Sequence, residues 1–381
     1  IKNKRERTII TTLGVIRYFR RSYISKHGGE GYYYFIDELL RLEPYQRLSI
    51  DLKNEILVRV VQDSYQRIAD DFSISKSSIS NLMKSLRDQT LHTPDNSEFK
   101  CIDTLFIQAD ECYVSLQKSL KGNVRNKMMV EEVTIHEGLI PVYKGRNKLL
   151  NKTLMTRAPF ESLDEFRDRI LTFINDNYEY KQLYLYGDGA PWIKSTAEYL
   201  NATYITDLFH TYQAVNRITT DEGLRAILKT AIIENDIRVL EAVRHSLMND
   251  SVWTKNKEKN YKYLKNNWNH IQYNYQLNNS VGCSQEGINF HYFAKRLTTI
   301  PRGFHPHTAR LIAQLSTIVH KVSDPLAYLK EFIIDSNNNK NKKQKEKFKD
   351  GYLPPQGSLP THTSNTQTNK MFKNIAHPKL Y

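Results

Sequence analysis

The chain has 381 residues, 40% of them apolar, and a net charge of +14 from 55 Lys and Arg against 41 Asp and Glu. That length supports two or three domains around ordinary cores and excludes a peptide, a disulfide miniprotein or a mostly disordered chain. No run nears the ~20 apolar residues a spanning helix needs, residues 1–26 lack the apolar stretch of a signal peptide, and Cys101, Cys112 and Cys283 show no CxxC spacing, so a reducing cytoplasm and no membrane partner are expected.

In chain order, residues 1–43 read as a β-rich segment, because TIITTLGVIRYFRRSYIS alternates apolar and polar residues as a hairpin or small sheet does. Residues 44–95 change to helical period, with Ile56, Leu57, Val60 and Val61 on one stripe ahead of YQRIADDFSISKSSISNLMKSL, and a linker follows at 95–99. Across 100–210 the grammar is β-β-β-α-β-α-β. CIDTLFIQAD reads as a strand ending in an acid, KMMVEEVTIHE and LIPVYK as the second and third strands, residues 162–175 as a helix opened by the capping pair Ser162 and Glu165, QLYLYGDGA as another strand ending in an acid, then a helix at 190–200 and the strand ATYITD. That order predicts a mixed α/β (α+β) fold with helices packed on a mixed sheet.

Residues 211–280 show only helical stripes and predict an all-α insertion; 281–335 hold two further helices. The remainder, 336–381, is rich in Asn, Lys and Pro and is expected to be a disordered basic tail. Nine lysines from Lys340 onward face only Glu346 and Asp350, so half of the net charge sits there. The other half, spread over some 340 residues, does not by itself identify an acidic partner.

Within 44–95 the spacing of Ala69, a turn at Ser73, buried Ile79 and apolar Leu82 predicts two helices crossing steeply around a short turn, the helix-turn-helix of DNA-binding domains. The second helix would expose Lys76, Ser77, Ser78, Asn81 and Lys84, short donors and acceptors suited to base edges and phosphates. An ordinary helical hairpin with a solvated polar face fits the same spacing.

The candidate chemistry lies in acids. Asp110, followed by Glu111, and Asp188, between Gly187 and Gly189, end predicted strands, and Glu286 opens a helix after a Gly-Cys-Ser-Gln loop. Carboxylates at the ends of neighbouring buried strands reach one crevice, where two or three can hold Mg²⁺ and leave positions for phosphate oxygens. Each acid alone also fits a turn former or a helix-start residue. Asp207 and His210 read as the cap and first-turn partner of a helix, or as a contact to DNA phosphate or support for the metal site. No GxxxxGK[ST], GxGxxG or GxSxG occurs, which leaves nucleotide hydrolysis, dinucleotide binding and serine hydrolysis without support.

The blocks QADECYVSLQ, LYGDGAPWIK, TDLFHTYQAVNRI and CSQEGINFHYFAKRL, in this order and spacing, resemble those of bacterial insertion-sequence transposases of the ISLre type. RTIITTLGVIRYFRRSYIS and DELLRLEPYQRLS are similar to that family's N-terminal half. The resemblance implies a DDE transposase: an RNase H-like catalytic domain, interrupted by a helical insertion before the last acid, with Asp110, Asp188 and Glu286 as catalytic and metal-binding residues. It implies Mg²⁺ (with Mn²⁺ able to substitute), terminal inverted repeats and target DNA as partners, a homodimer or higher synaptic assembly, and a nucleoid-associated location in a bacterial cytoplasm. Cys112, Tyr113 and the run from Asn289 to Phe293 depart from the family pattern. Two rival expectations stand beside it: an RNase H-fold nuclease without strand transfer, and an inactive DNA-binding remnant of a mobile element.

Overall fold

The computed structural model describes residues 3–23, 32–40, 42–87, 91, 98–117, 127–143, 146–249, 252–277, 280–298, 303–331 and 333. The expected tail at 336–381 and most of the expected 95–99 linker lie outside the described residues.

The N-terminal segment is an antiparallel hairpin of β1 (Lys4–Thr11) and β2 (Gly14–Arg21), turning at Gly14 with φ +117°. Its anchor is Arg7, which is buried, ion-paired to Asp37 of the short helix α1 (Phe35–Leu39), and donates to the carbonyls of Glu43 (2.7 Å) and Gln46 (3.0 Å). Three helices follow: α2 (Ile50–Arg59), α3 (Tyr65–Asp71) and α4 (Lys76–Leu86). Each begins where a serine hydroxyl accepts an otherwise unpaired first-turn N–H: Ser49 from Leu52, Ser64 from Arg67 and Ser75 from Ser78. Between α3 and α4 the chain reverses through Ser73 at φ +51°, a left-handed conformation that a non-glycine residue adopts at about 1 kcal/mol. Ile68, Ile79, Leu82, Met83 and Leu86 form the buried side of the pair.

The main sheet has the order β7-β4-β3-β8-β9, made by β3 (Lys100–Ser115), β4 (Lys127–His136), β7 (Thr153–Thr156), β8 (Tyr178–Gly187) and β9 (Thr203–Thr206). Strand β4 runs against both β3 and β7, while β3, β8 and β9 are mutually parallel. One expected strand is displaced. LIPVYK becomes β5 (Leu139–Tyr143), which leaves the sheet and pairs with β6 (Arg146–Leu149) in a separate ribbon, every residue of β5 being exposed. The third sheet strand is instead TLMT, only four residues and buried on both faces, too short to show alternation.

Period-two alternation splits β3 into two working faces. Leu105, Ile107 and Ala109 pack against Phe166, Ile170 and Ile174 of α5 (Leu163–Asn177) and Trp192 and Ile193 of α6 (Pro191–Tyr199). The Ser162 and Glu165 capping box does open α5. Phe106, with Tyr184, Tyr186 and Ile205, faces the other way, toward Tyr273, Leu277, Val281 and Cys283. The helical segment comprises α7 (Leu208–Ile218), α8 (Glu222–Ile233), α9 (Ile237–Asn249) and α10 (Lys255–Gln276), with its own core around Val215, Ile232, Leu240, Leu264 and Ile271.

The chain then packs α11 (Gln285–Asn289) on β3 and continues through a π-helical turn (Phe290–Ala294) and α12 (Lys295–Leu297) to the buried helix α13 (Pro306–Lys321), which packs on β7 and β4. Among the described residues, no helix is long and apolar enough to cross a membrane.

Candidate active site

The sheet register builds the site. Phe106 lies opposite Tyr184 and Gln108 opposite Tyr186, so two residues further on Asp188, just past β8, comes level with Asp110. Gly187 is opposite Thr206, which sets Asp207, just past β9, level with Asp188. On the other flank Asp110 is paired directly with Glu132 of β4. Residues in one cross-strand row share a face. Glu132, Asp110, Asp188 and Asp207 therefore form a row of carboxylates across four adjacent strands.

Asp110 does not end its strand, as the sequence suggested. Strand β3 runs on to Ser115 paired with β4, while the parallel pairing with β8 stops at Gln108. The acid stands where one neighbouring strand leaves. Gly187 and Gly189, on either side of Asp188, each have a local reason to be glycine. A Cβ on Gly187 would lie 2.6 Å from Cγ2 of Ile193, so glycine is required for α6 to close on the sheet. Gly189 sits at φ +95°, a left-handed value that glycine adopts without steric penalty.

The third acid arrives from α11. Glu286 is exposed on its first turn, and the helix is fastened to β3 at two levels. Asn289 Nδ2 donates to Asp110 Oδ2 (3.2 Å) and to the Glu111 carbonyl (3.3 Å). Gln108, wholly buried, accepts at Oε1 from the N–H (2.9 Å) and hydroxyl (3.0 Å) of Ser284 and donates through Nε2 to the Gly282 carbonyl (3.2 Å). Its Nε2 also lies 3.1 Å from Nε2 of buried His136. Burial lowers that imidazole to about 4, so it is neutral and accepts. Sequence reasoning missed Gln108, and marked Asn289 only as a departure from a family pattern.

The electrostatics are those of uncompensated anions. Burial, together with the charges of Asp188 and Glu286, raises the Asp110 carboxyl to about 6 against the opposing N–H of Glu111 and amide of Asn289. Glu111 is pushed up to about 7, again by burial first and by Asp188 and Asp110, although Trp192 Nε1 donates to its Oε2 at 2.6 Å. Burial drives Glu132 well above the usual carboxylate range, with the charge of Asp110 adding to it and the side chain of Gln285 opposing it. Its neighbour Glu131, on the opposite face, is by contrast paired with Arg157 (2.5 Å) and Arg310 (3.2 Å). Among the described residues, Asp110, Glu111, Glu132, Asp188 and Glu286 form no ion pair with lysine or arginine.

This donor set, hard oxygens with unbalanced negative charge, suits a divalent ion such as Mg²⁺. The acids stand within electrostatic reach of one another but are not drawn together around a point: among the described residues no three His, Cys, Asp or Glu side chains are placed to ligate one metal.

Asp207 is the N-cap of α7. Its Oδ1 accepts from the Phe209 N–H (2.9 Å), and its Oδ2 lies 2.9 Å from His210 Nδ1. Burial opposes protonation of His210, but the hydrogen bond and charge of Asp207, with Asp188 and Asp110 behind it, hold the imidazole above its ordinary value. The structural role is thus filled, and the pair also borders the acidic row. On α4, Lys76, Ser77, Asn81 and Lys84 are exposed along one face. Ser78 is half-buried and engaged in the cap, its N–H and Oγ both on Ser75 Oγ, which withdraws it from that face.

Residues 1–324 match the Uncharacterised protein family (UPF0236). A UPF0236 protein of Caldanaerobacter subterraneus subsp. tengcongensis is 29% identical over 326 residues, covering 83% of this chain and 68% of the relative. Another from that organism, whose name joins eleven locus designations, is 28% identical over the same shares. Among solved structures, the Drosophila P element transposase strand transfer complex matches 74% of this chain and 80% of its own, at 11% identity and a TM-score of 0.21.

Proposed function

The chain belongs to the UPF0236 family, and for this member we propose a DNA transposase that binds terminal inverted repeats and carries out Mg²⁺-dependent strand cleavage and strand transfer. The observation that carries the reading is that Asp110 on β3, Asp188 just past the neighbouring parallel strand β8 and Glu286, brought by a helix after an all-helical segment, lie within electrostatic reach of one another. A mixed sheet interrupted in this way before its last acid is what an RNase H-like DDE domain calls for. A relative named for eleven loci of one genome fits a gene that multiplies by insertion.

Asp110, Asp188 and Glu286 would hold Mg²⁺, or Mn²⁺ in its place, and the ion would supply Lewis-acid stabilisation of the attacking and leaving oxygens of a phosphodiester. The chain's own residues do the placing. Asn289 orients one oxygen of Asp110, Gln108 fixes the loop ahead of Glu286, and the Trp192 indole holds Glu111 beside Asp110. The α3–α4 pair, read as a helix-turn-helix, would set Lys76, Ser77, Asn81 and Lys84 against the DNA ends. Joining two ends requires two such units, so a dimer or larger assembly is expected.

The test incubates the purified chain and Mg²⁺ with duplex DNA spanning an element end and its flank, plus a target duplex. Nicked ends that become joined to the target are expected, abolished by Asp110→Asn, Asp188→Asn or Glu286→Gln with end binding retained. Cleavage without joining would replace the reading by a nuclease, and binding without cleavage by an inactive remnant.

A further inference from the structure

The β1–β2 hairpin has two unlike faces, and only one is used inside the fold. Arg5, Arg7 and Ile9 share a face with Ile16, Tyr18 and Arg20. There Arg7 and Arg20 both pair with Asp37, the Tyr18 hydroxyl donates to Asp37 Oδ1 (2.8 Å), and Ile9 is buried. This is the anchor. The other face presents the cross-strand pairs Lys4 with Arg21, Glu6 with Phe19 and Thr8 with Arg17, and all six residues are exposed. Phe19 is 61% exposed, with the Lys4 ammonium 4.4 Å from its ring centre. Among the described residues, these three cations and one acid on the two-stranded ribbon form no ion pair.

We propose that this outer face is a second DNA-contacting surface, lying along a duplex groove, with Arg17, Arg21 and Lys4 on phosphates or base edges. The dimensions suit it, since the major groove admits a two-stranded β-ribbon as readily as a helix. Charge complementarity favours DNA over a second copy of a chain whose own net charge is +14. The ribbon is tied to the helices that follow it, through the Ile10 and Leu48 bridge ahead of α2. Ribbon and α4 are then two elements of one N-terminal DNA-binding unit, the second able to lengthen the site that a lone helix reads. The proposal rests on the DNA-binding part of the function above.

The test measures binding of the full chain to a fluorescein-labelled 30-base-pair duplex of mixed sequence across a salt series. Each phosphate contact contributes a little under one unit to the slope of log K against log salt. Arg17→Gln with Arg21→Gln should lower the magnitude of that slope by about two, and Thr8→Lys, a gain variant on the same face, should raise it by about one. Wild-type binding with slopes and affinities unchanged in both variants would overturn the ribbon surface while leaving the DNA reading intact. Absence of any wild-type binding would overturn both. Unchanged DNA binding with a loss of self-association on sedimentation would give the face to a second copy of the chain.

Discussion

The Asn289 amide donates to Oδ2 of Asp110 across 3.2 Å, joining the helix that carries Glu286 to the strand that carries the first acid. The same amide reaches the Glu111 carbonyl at 3.3 Å, so one side chain sets the height of α11 above β3. Asn289→Ala should reduce cleavage roughly 10- to 100-fold, the range seen when partners that orient a metal ligand are lost, with end binding unchanged. Asn289→Asp, of equal size but bringing another anion against Asp110, should be worse than Ala. A kinetic series in which Asp matches the wild type would show that the hydrogen bond is not what holds the helix.

The acidic row makes a prediction about stability without metal. The Asp110 carboxyl stands at about 6 in the fold against 3.8 in its ordinary state, burial being the main cause. Between those values the native state holds the proton and the unfolded chain does not, so stability is full below 3.8 and declines as pH rises through about 6. Asp110→Asn removes the effect. In a chelating buffer at pH 7.5 the variant should be more stable than the wild type by roughly 3 kcal/mol, and near pH 4 the two should coincide. Denaturant titrations giving equal stabilities at pH 7.5 would show that Asp110 is not strained by its neighbours.

How far the sequence could reach is visible in particular residues. Apolar runs located β3, β4, β8 and β9, and the Ser162 and Glu165 capping signal placed the start of α5 within one residue. The sequence pattern found β5 as a strand but not its place outside the main sheet, and it missed β7, since an apolar pentamer that turns out exposed and a tetramer buried on both faces carry no face information. Asp110, Asp188 and Glu286 could be named from strand ends and a helix start, whereas the row that includes Glu132 depends on register between strands, which no local pattern encodes. The double acid in KMMVEEVTIHE was the available signal. A carboxylate inside a buried strand requires a reason, and Glu131 and Glu132 have different ones.

Gly187 should be intolerant of any side chain. An added Cβ would meet Ile193 Cγ2 at 2.6 Å and Cδ1 at 3.0 Å, with the Ala109 carbonyl 3.3 Å away. Overpacking of this kind costs about 1–3 kcal/mol, and the stiff β-branched Ile193 has little room to rotate. Gly187→Ala should lose that much on denaturation. Combined with Ile193→Ala, which removes both colliding atoms, the loss should fall short of the sum of the single losses by about 1 kcal/mol or more. Strict additivity would trace the damage to some other cause.

On α4, Asn81 is exposed between Lys76 and Lys84 and is the residue there best fitted to a base edge. Asn81→Ala should reduce discrimination between an element end and mixed-sequence duplex by about 1–3 kcal/mol, while Lys84→Gln should weaken both equally. If competition binding shows both duplexes equally weakened by Asn81→Ala, the residue touches phosphate, and no change on either duplex would leave the helix pair an ordinary hairpin.

Gln108 is where fold and proposed chemistry are hardest to separate, and a pair of variants divides them. Its amide satisfies the Ser284 N–H and hydroxyl, the Gly282 carbonyl and His136 Nε2, holding the 282–284 loop to the sheet two residues before Asp110. Gln108→Met keeps the volume but leaves those buried groups unpaired, at about 1–3 kcal/mol. Gln108→Glu keeps the acceptor for Ser284 and loses the donor to Gly282. If the loop positions Glu286, both variants should cleave slowly with unchanged end affinity, Glu less impaired than Met, and the Ser284 amide should exchange its hydrogen faster in Met than in Glu. A Met variant that is destabilised yet cleaves at the wild-type rate would confine Gln108 to folding and detach the position of Glu286 from the loop that precedes it.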